Sequence, residues 1–296
     1  MKKVLFTLIA VIVLGATWYL FIKPEDYLVR FKANTTIGTI NQAIKSWELA
    51  KENITRLPAS VDNKVVQELI YGDSIHTYTW KLKPLNDSTT QVILGVKDKK
   101  NSINNKLRVL YASSFIKEQS KKTAEDFLSG LRDHLEQFDV TVDGESATPP
   151  SFAAYVTING TQVEKAGGMM RYYGYLSQLM LKDGIEPKGP PFIEVVNWDQ
   201  KKDSLTYNFC FPIKNKENLP EFPEIKYKRF FEKKALKATY HGNYITSDRA
   251  WYRLLAYAEE NGYELEKLPF EIFHDNPSLG ANERNWRAEI FLPIKE

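Results

Sequence analysis

The chain has 296 residues, 43% of them hydrophobic and 13% aromatic, which is enough for about two domains with sizeable cores and argues against global disorder. Its 40 basic and 37 acidic residues leave a net charge of +3, a balance that offers no basis for a nucleic-acid partner. Cys210 is the single cysteine, and the four histidines, His76, His134, His241 and His274, are scattered; an intrachain disulfide is excluded, no metal-ligand spacing occurs and no cofactor is expected.

Residues 1–23 read as a membrane anchor. Lys2 and Lys3 precede an uncharged run at 4–22, close to the roughly 20 residues that cross the hydrocarbon core. Trp18 and Tyr19 sit near its far end, where aromatic belts occur. The lysines place the N-terminus in the cytoplasm, so a single-pass chain carries its body on the periplasmic or extracellular side. A cleaved signal peptide is the rival reading. Against it, Leu14-Gly15-Ala16 is a poor cleavage site, the apolar run is long and no lipoprotein cysteine follows.

Residues 24–140 form the next unit. Strand patterning at 27–33 is followed by a helix at 36–50, with Ile37, Ile40, Ile44 and Trp47 at helical spacing. Strands at 65–71, 75–82 and 89–96 lead into a mostly helical stretch at 105–138, whose apolar positions include Phe115, Phe127, Leu128, Leu131, Leu135 and Phe138. This order resembles the helix-grip fold of START-like (SRPBCC) ligand-binding proteins. The resemblance implies an apolar ligand between sheet and last helix, although the same side chains would equally fill a core, and no site residue is assigned here. The polar, Gly- and Pro-containing stretch 139–151 reads as the domain boundary, with the linker at 141–150.

Residues 151–296 read as two copies of a β-α-β-β unit. Pro212-Ile213-Lys214 is echoed by Pro293-Ile294-Lys295, Pro191-Phe192 by Pro269-Phe270, and Asp183-Gly184 by Asn261-Gly262. Copy one has strands at 152–159, 192–198 and 205–212 and a helix at 163–181. A linker at 214–224 leads to copy two, with an interrupted strand at 229–240, a helix at 247–261 and strands at 270–274 and 286–293. Thr246-Ser247-Asp248 supplies the second helix with an N-cap and Asn261-Gly262 stops it. The fold class is therefore α+β: an N-terminal transmembrane helix, an antiparallel helix-grip domain and a duplicated β-α-β-β domain.

In the last strand Ala288, Ile290 and Leu292 share one face, matched by Tyr207, Phe209 and Phe211 in copy one. Glu289 and Phe291 take the other face, matched by Asn208 and Cys210. A carboxylate between apolar neighbours is solvated at an edge, paired with an arginine, or turned into a pocket, because burying it unpaired is costly.

The series Tyr240-His241-Gly242-Asn243-Tyr244, Ala250-Trp251, Asn261-Gly262-Tyr263, Pro269-Phe270-Glu271-Ile272-Phe273-His274-Asp275-Asn276-Pro277 and Ala288-Glu289-Ile290-Phe291-Leu292-Pro293-Ile294 resembles the GyrI-like domain, the effector-binding domain of AraC- and MerR-type activators. The resemblance covers about residues 151–296 and implies a groove between two repeats that takes small, often aromatic or cationic molecules. It carries a strand glutamate at the position of Glu289. Some members hydrolyse reactive cyclopropane-containing toxins. The helix-turn-helix domain of the activators has no counterpart here, so DNA binding is not carried over.

The expected ligand-binding set is Glu289, Trp251, Tyr240, Tyr244, Tyr173, Tyr207, Asn208 and Phe291. Three roles stay open for Glu289: anchor for a cation with help from aromatic faces, general acid or base, or structural partner of Arg287, Arg284 or Arg253. The reading is a membrane-anchored protein that binds a small amphipathic or cationic ligand. The alternatives are a hydrolase of reactive small molecules with Glu289 as acid/base, and a non-enzymatic interaction module with an unknown protein partner.

Overall fold

The computed structural model describes residues 2–57, 63–215, 218–280 and 282–295; of the expected linker at 214–224, residues 216–217 lie outside them. The chain divides into two compact units, residues 1–134 and 135–296. Among the described residues it is an α+β protein with two antiparallel sheets.

The first unit opens with α1 (Lys2–Thr17), which runs on into a π-helical turn, Trp18–Ile22. Together they are long and apolar enough to cross a membrane, with no residue of that stretch buried in the protein. A five-stranded sheet follows: β1 (Tyr27–Ala33), β2 (Ile54–Leu57), β3 (Lys64–Tyr71), β4 (Ser74–Asn86) and β5 (Thr89–Asp98), in spatial order β1-β5-β4-β3-β2. Helix α2 (Ile37–Leu49) starts at Thr36, whose hydroxyl accepts from the Thr39 amide at 3.3 Å. The hairpin β3–β4 closes through Gly72 in the left-handed region, φ 56°. β4 runs past Pro84 because the ladder shifts register there, sparing the proline a hydrogen bond it cannot donate.

The helical stretch expected at 105–138 is two helices, α3 (Ser102–Tyr111) and α4 (Phe115–Leu135). They part at Ala112–Ser114, after which the Ser114 hydroxyl accepts from the Lys117 amide. The core of this unit is aromatic. Phe127 of α4 lies 4.8 Å from Trp80 and 6.1 Å from Trp47, ring centre to ring centre, and Phe31 reaches it from β1. Trp80 donates to Gln67 Oε1 at 2.7 Å, and Gln67 donates to Glu48.

Among its described residues, the second unit is one eight-stranded sheet with two α-helices. Its strands are β6 (Asp139–Ala147), β7 (Ser151–Gly160), β8 (Phe192–Asp199), β9 (Ser204–Pro212), β10 (Lys226–Phe230), β11 (Lys234–His241), β12 (Phe270–Phe273) and β13 (Arg287–Pro293), with α5 (Lys165–Lys182) and α6 (Arg249–Asn261). The spatial order is β10-β7-β9-β8-β12-β13-β11-β6.

Two expectations change here. The stretch read as a linker at 141–150 is mostly strand: β6 pairs with β11 at the sheet edge, bulging near Gly144. Val140 and Val142 pack onto the core, an alternation that the surrounding Asp, Gly and Thr obscure. The interrupted strand at 229–240 is two strands, β10 and β11, which pair with β7 and β13 respectively.

The sheet has two unlike faces. The helix-bearing face holds the main core, including Tyr207, Phe209, Leu236, Tyr240, Trp251, Phe273, Ile290 and Leu292. The opposite face holds a smaller apolar cluster built on Phe192, Phe230, Phe270 and Phe291. α5 can approach the first face closely at Gly168, where a Cβ would overlap the Tyr207 hydroxyl.

Because Phe127 touches α2, β1 and β4 at once, Phe127→Ala leaves a void that no single element can close. The expected cost is about 3–5 kcal/mol, read as a lowered midpoint in thermal unfolding followed by near-UV circular dichroism.

Candidate functional site

Strand β12 is short and carries the sequence Phe-Glu-Ile-Phe. Alternation sends Phe270 and Ile272 to one face and Glu271 and Phe273 to the helix face. The cross-strand neighbours of Glu271 are Ile193 on β8 and Ile290 on β13, both in the main core. A carboxylate is thus set into an apolar floor where β8 and β12 meet at the middle of the sheet.

The charge is met from both helices. Lys165, the first residue of α5, donates through Nζ to Glu271 Oε1 at 3.0 Å and Oε2 at 2.8 Å. The Ser247 hydroxyl, ahead of α6, donates to Glu271 Oε2 at 3.0 Å and accepts from Lys165 at 2.7 Å. Trp251 Nε1 also donates to Glu271 Oε1. The ammonium lies 4.8 Å from the centre of the Trp251 ring and 5.9 Å from that of Phe273, within range of attraction to the ring faces. Lys165 and Glu271 have no solvent-exposed side-chain surface, 0%/0%.

A second ring of polar groups encloses this pair. Gln162 donates to Asp248 at 2.8 Å and accepts from Tyr252 at 2.9 Å, while Arg249 is ion-paired with Asp248. Tyr207 donates to the Lys165 carbonyl at 2.8 Å, fixing the start of α5 over β9. The trio expected to cap α6 is used differently: Asp248 makes no side-chain cap bond and Ser247 turns inward to the glutamate. Burial raises the Glu271 carboxyl above its ordinary value, and the adjacent Lys165 ammonium opposes it.

The expected site residues do not form one site, because the sheet divides them. Tyr207, Tyr240, Tyr244 and Trp251 are buried on the helix face, with Tyr173 partly buried against the same core. Of these, Trp251 and Tyr207 touch the Lys165–Glu271 centre. Tyr240 and Tyr244, expected to face a ligand, are core residues. The Tyr240 hydroxyl donates to the Asn243 carbonyl and that of Tyr244 to the Arg287 carbonyl. Burial raises the hydroxyl pKa of both, as it does that of Tyr207. Tyr173 packs its ring on Phe211 at 5.3 Å.

Glu289, Asn208 and Phe291 lie on the opposite face. Asn208 donates to Glu194 and accepts from Thr157, and Phe291 belongs to the smaller apolar cluster. Glu289 is bound by Lys237 at 2.8 Å and by His274 Nε2 at 3.0 Å, with Arg287 at 3.8 Å. Burial acts to raise its carboxyl, but the hydrogen bonds from Lys237 and His274 prevail and hold it below the ordinary range. That is the wrong direction for a general acid near neutral pH. Its principal partners were not among the arginines expected. Glu271 carried the same warrant in the sequence as Glu289, an acid inside an apolar strand.

A carboxylate held below its ordinary value contributes stability that is complete above the unfolded pKa and is lost as pH falls through the folded one. Glu289→Gln is expected to lower stability at pH 7 by about 1 kcal/mol or less. The gap between wild type and variant should close as the pH drops below about 4.5. Urea unfolding at pH 7 and pH 3 measures both ends.

Residues 153–295 match the family described as the GyrI-like small molecule binding domain. Among solved structures, the chain is similar to the cryo-EM structure of an EcmrR–DNA complex, at 15% identity over 66% of this chain and 72% of that chain, with a TM-score of 0.45. It is similar to the crystal structure of the EcmrR C-terminal domain, at 16% identity over 54% of this chain and 98% of that one, with a TM-score of 0.45. A third is the structure of SAV2435 bound to tetraphenylphosphonium, at 12% identity over 53% and 93%, with a TM-score of 0.37. No curated protein matches. The expectation of no nucleic-acid partner does not stand, since one similar structure is that of a protein in complex with DNA. Residues 153–295 of this chain are a GyrI-like small molecule binding domain.

Proposed function

We propose that the chain is a membrane-anchored small-molecule-binding protein whose GyrI-like domain takes a cationic, amphipathic ligand at Glu271. The observation that carries this reading is the site's existing content. A fully buried carboxylate, flanked by Trp251 and Phe273, already holds an ammonium group. The site is chemically a cation receptor, and Lys165 is its resident cation. A ligand ammonium enters by taking the place of Nζ, exchanging one charge-assisted contact set for another.

The two halves of the domain are a duplicated β-α-β-β unit in this reading. The strand order β7-β9-β8 followed by β12-β13-β11 supports it, and Glu271 then stands at the junction of the copies. Residues 1–23 are the anchor, with the N-terminus cytoplasmic and the body periplasmic or extracellular; the lysines before the apolar run support that orientation. Residues 24–140 are a START-like helix-grip unit, supported by one long helix laid across an antiparallel sheet. Its aromatic filling around Trp80 and Phe127 favours a core over an apolar ligand cavity there.

A second reading is favoured by one observation. The space between α5 and α6 at Glu271 is filled by the protein's own side chains, which suits a domain that docks a partner and binds no small molecule.

The two readings separate by chemical rescue. Lys165→Ala leaves Glu271 buried without its cation, at an expected cost of about 3–5 kcal/mol. Butylammonium, added to the full-length variant in detergent at about 100 times its dissociation constant, should return roughly 2.7 kcal/mol of that loss. The rescue should vanish in Lys165→Ala/Glu271→Gln. Thermal unfolding reads both. A Lys165→Ala protein that no cation restabilises would favour the docking reading.

A further inference from the structure

Helix α3 carries an apolar stripe that no part of its own unit covers. Ile103, Leu107, Leu110 and Tyr111 fall on one side of the helix by their spacing, and all four are exposed, Leu110 at 67% and Tyr111 at 77%. The inward side is occupied by Asn105, which donates to Asp98 at 3.2 Å. Arg108 is exposed on the flank away from Lys106.

Lys106 borders the stripe and is buried. Its Nζ donates to the carbonyl oxygens of Leu20 at 3.1 Å and Lys23 at 2.5 Å. In return, the Tyr19 hydroxyl donates to the Lys106 carbonyl at 3.1 Å. The start of α3 is held as firmly. The Ser102 hydroxyl donates to Asp26 Oδ1 at 2.5 Å, and Asp26 Oδ2 accepts from the Asp98 amide at 2.9 Å. The Lys106 and Tyr19 bonds tie α3 to the last turn of the apolar N-terminal helix, at the point where Trp18 and Tyr19 give way to Lys23, and the Asp26 bonds tie the start of α3 to the segment that follows.

A helix fixed to that turn shares its depth. If the N-terminal helix crosses the bilayer, α3 has to lie at the boundary between headgroups and acyl chains, where an amphipathic helix buries its apolar side by about 5–10 Å. We propose that α3 is an interfacial helix whose stripe Ile103, Leu107, Leu110 and Tyr111 is covered by the same bilayer that α1 crosses. The occupant is lipid because the stripe continues from a segment that is itself apolar and uncovered, Val4 to Ile22. The juxtamembrane unit is thereby held at the surface at two points, the anchor and α3. This inference rests on the anchor reading and goes beyond it.

The test uses the full-length chain in phosphatidylcholine–phosphatidylglycerol vesicles. Cys210 is fully buried, so a fluorophore can be directed to one new cysteine at a time. Leu110→Cys, carrying an environment-sensitive nitrobenzoxadiazole label, is expected to show blue-shifted emission. Lipids nitroxide-labelled on the upper acyl chain should quench it at least about twofold more than the same label on Arg108→Cys. Ile12→Cys in α1 reports the anchor independently. Quenching at residue 12 without quenching at residue 110 overturns the interfacial helix and leaves the anchor standing. Quenching at neither overturns both. A label at residue 110 that is shielded from aqueous iodide yet not quenched by lipid marks a protein cover, such as a second copy, and also overturns the proposal.

Discussion

The second unit is organised around one buried ion pair. Glu271 has isoleucines on both neighbouring strands, and a carboxylate in that position is not tolerable unless a cation and hydrogen-bond donors reach it. Lys165 and Ser247 come from the starts of two different helical segments, so satisfying one charge fixes where both segments begin. Tyr207 then locks the α5 backbone through the Lys165 carbonyl, and the missing side chain at Gly168 lets the helix sit close enough for that bond. The pair sets a geometry that apolar packing would leave adjustable.

The same sheet carries a second set of charges with a different character. Around Glu289 the partners are Lys237, His274 and Arg287, part-exposed and reached by solvent. Such pairs contribute little and are screened by salt. Their value is positional: Lys237 also lies 5.7 Å from the centre of the Phe291 ring, covering the edge of the opposite apolar cluster. One face of the sheet thus buries a charge at high cost with complete satisfaction, while the other keeps its charges wet.

The sequence made the layers legible where a repeat or a period carried them. The apolar N-terminal helix and the helix-side faces of β9 and β13 follow from a period that survives in a single chain, and the family from the motif series at 240–294. What the sequence hid was contact. Lys165 precedes Gly167 and Gly168 in a stretch with no apolar period to mark its direction, and Glu271 lies 106 positions away from it. Glu289 and Glu271 look alike in one dimension, each an acid in an apolar strand. Only the pleat tells them apart: Glu271 joins the helix-face aromatics, and Glu289 lies on the reverse face. The strand β6 escaped for a local reason: its bulge near Gly144 interrupts the alternation that would have revealed it.

The first unit applies the same physics at its own seam. Lys106 is buried against two backbone carbonyls, Leu20 and Lys23, that lie past the reach of the helix's own hydrogen bonds. Asp26 receives a hydroxyl and an amide, from Ser102 and Asp98. Each polar group is taken out of water only where a specific partner waits, so the end of the apolar segment has one favoured position on the unit and not a range of them. A flexible tether would need none of these bonds. Their presence means that the direction in which the N-terminal helix leaves the unit is built into the fold, and with it the orientation of every surface that the unit presents near that helix, the bare side of α3 included.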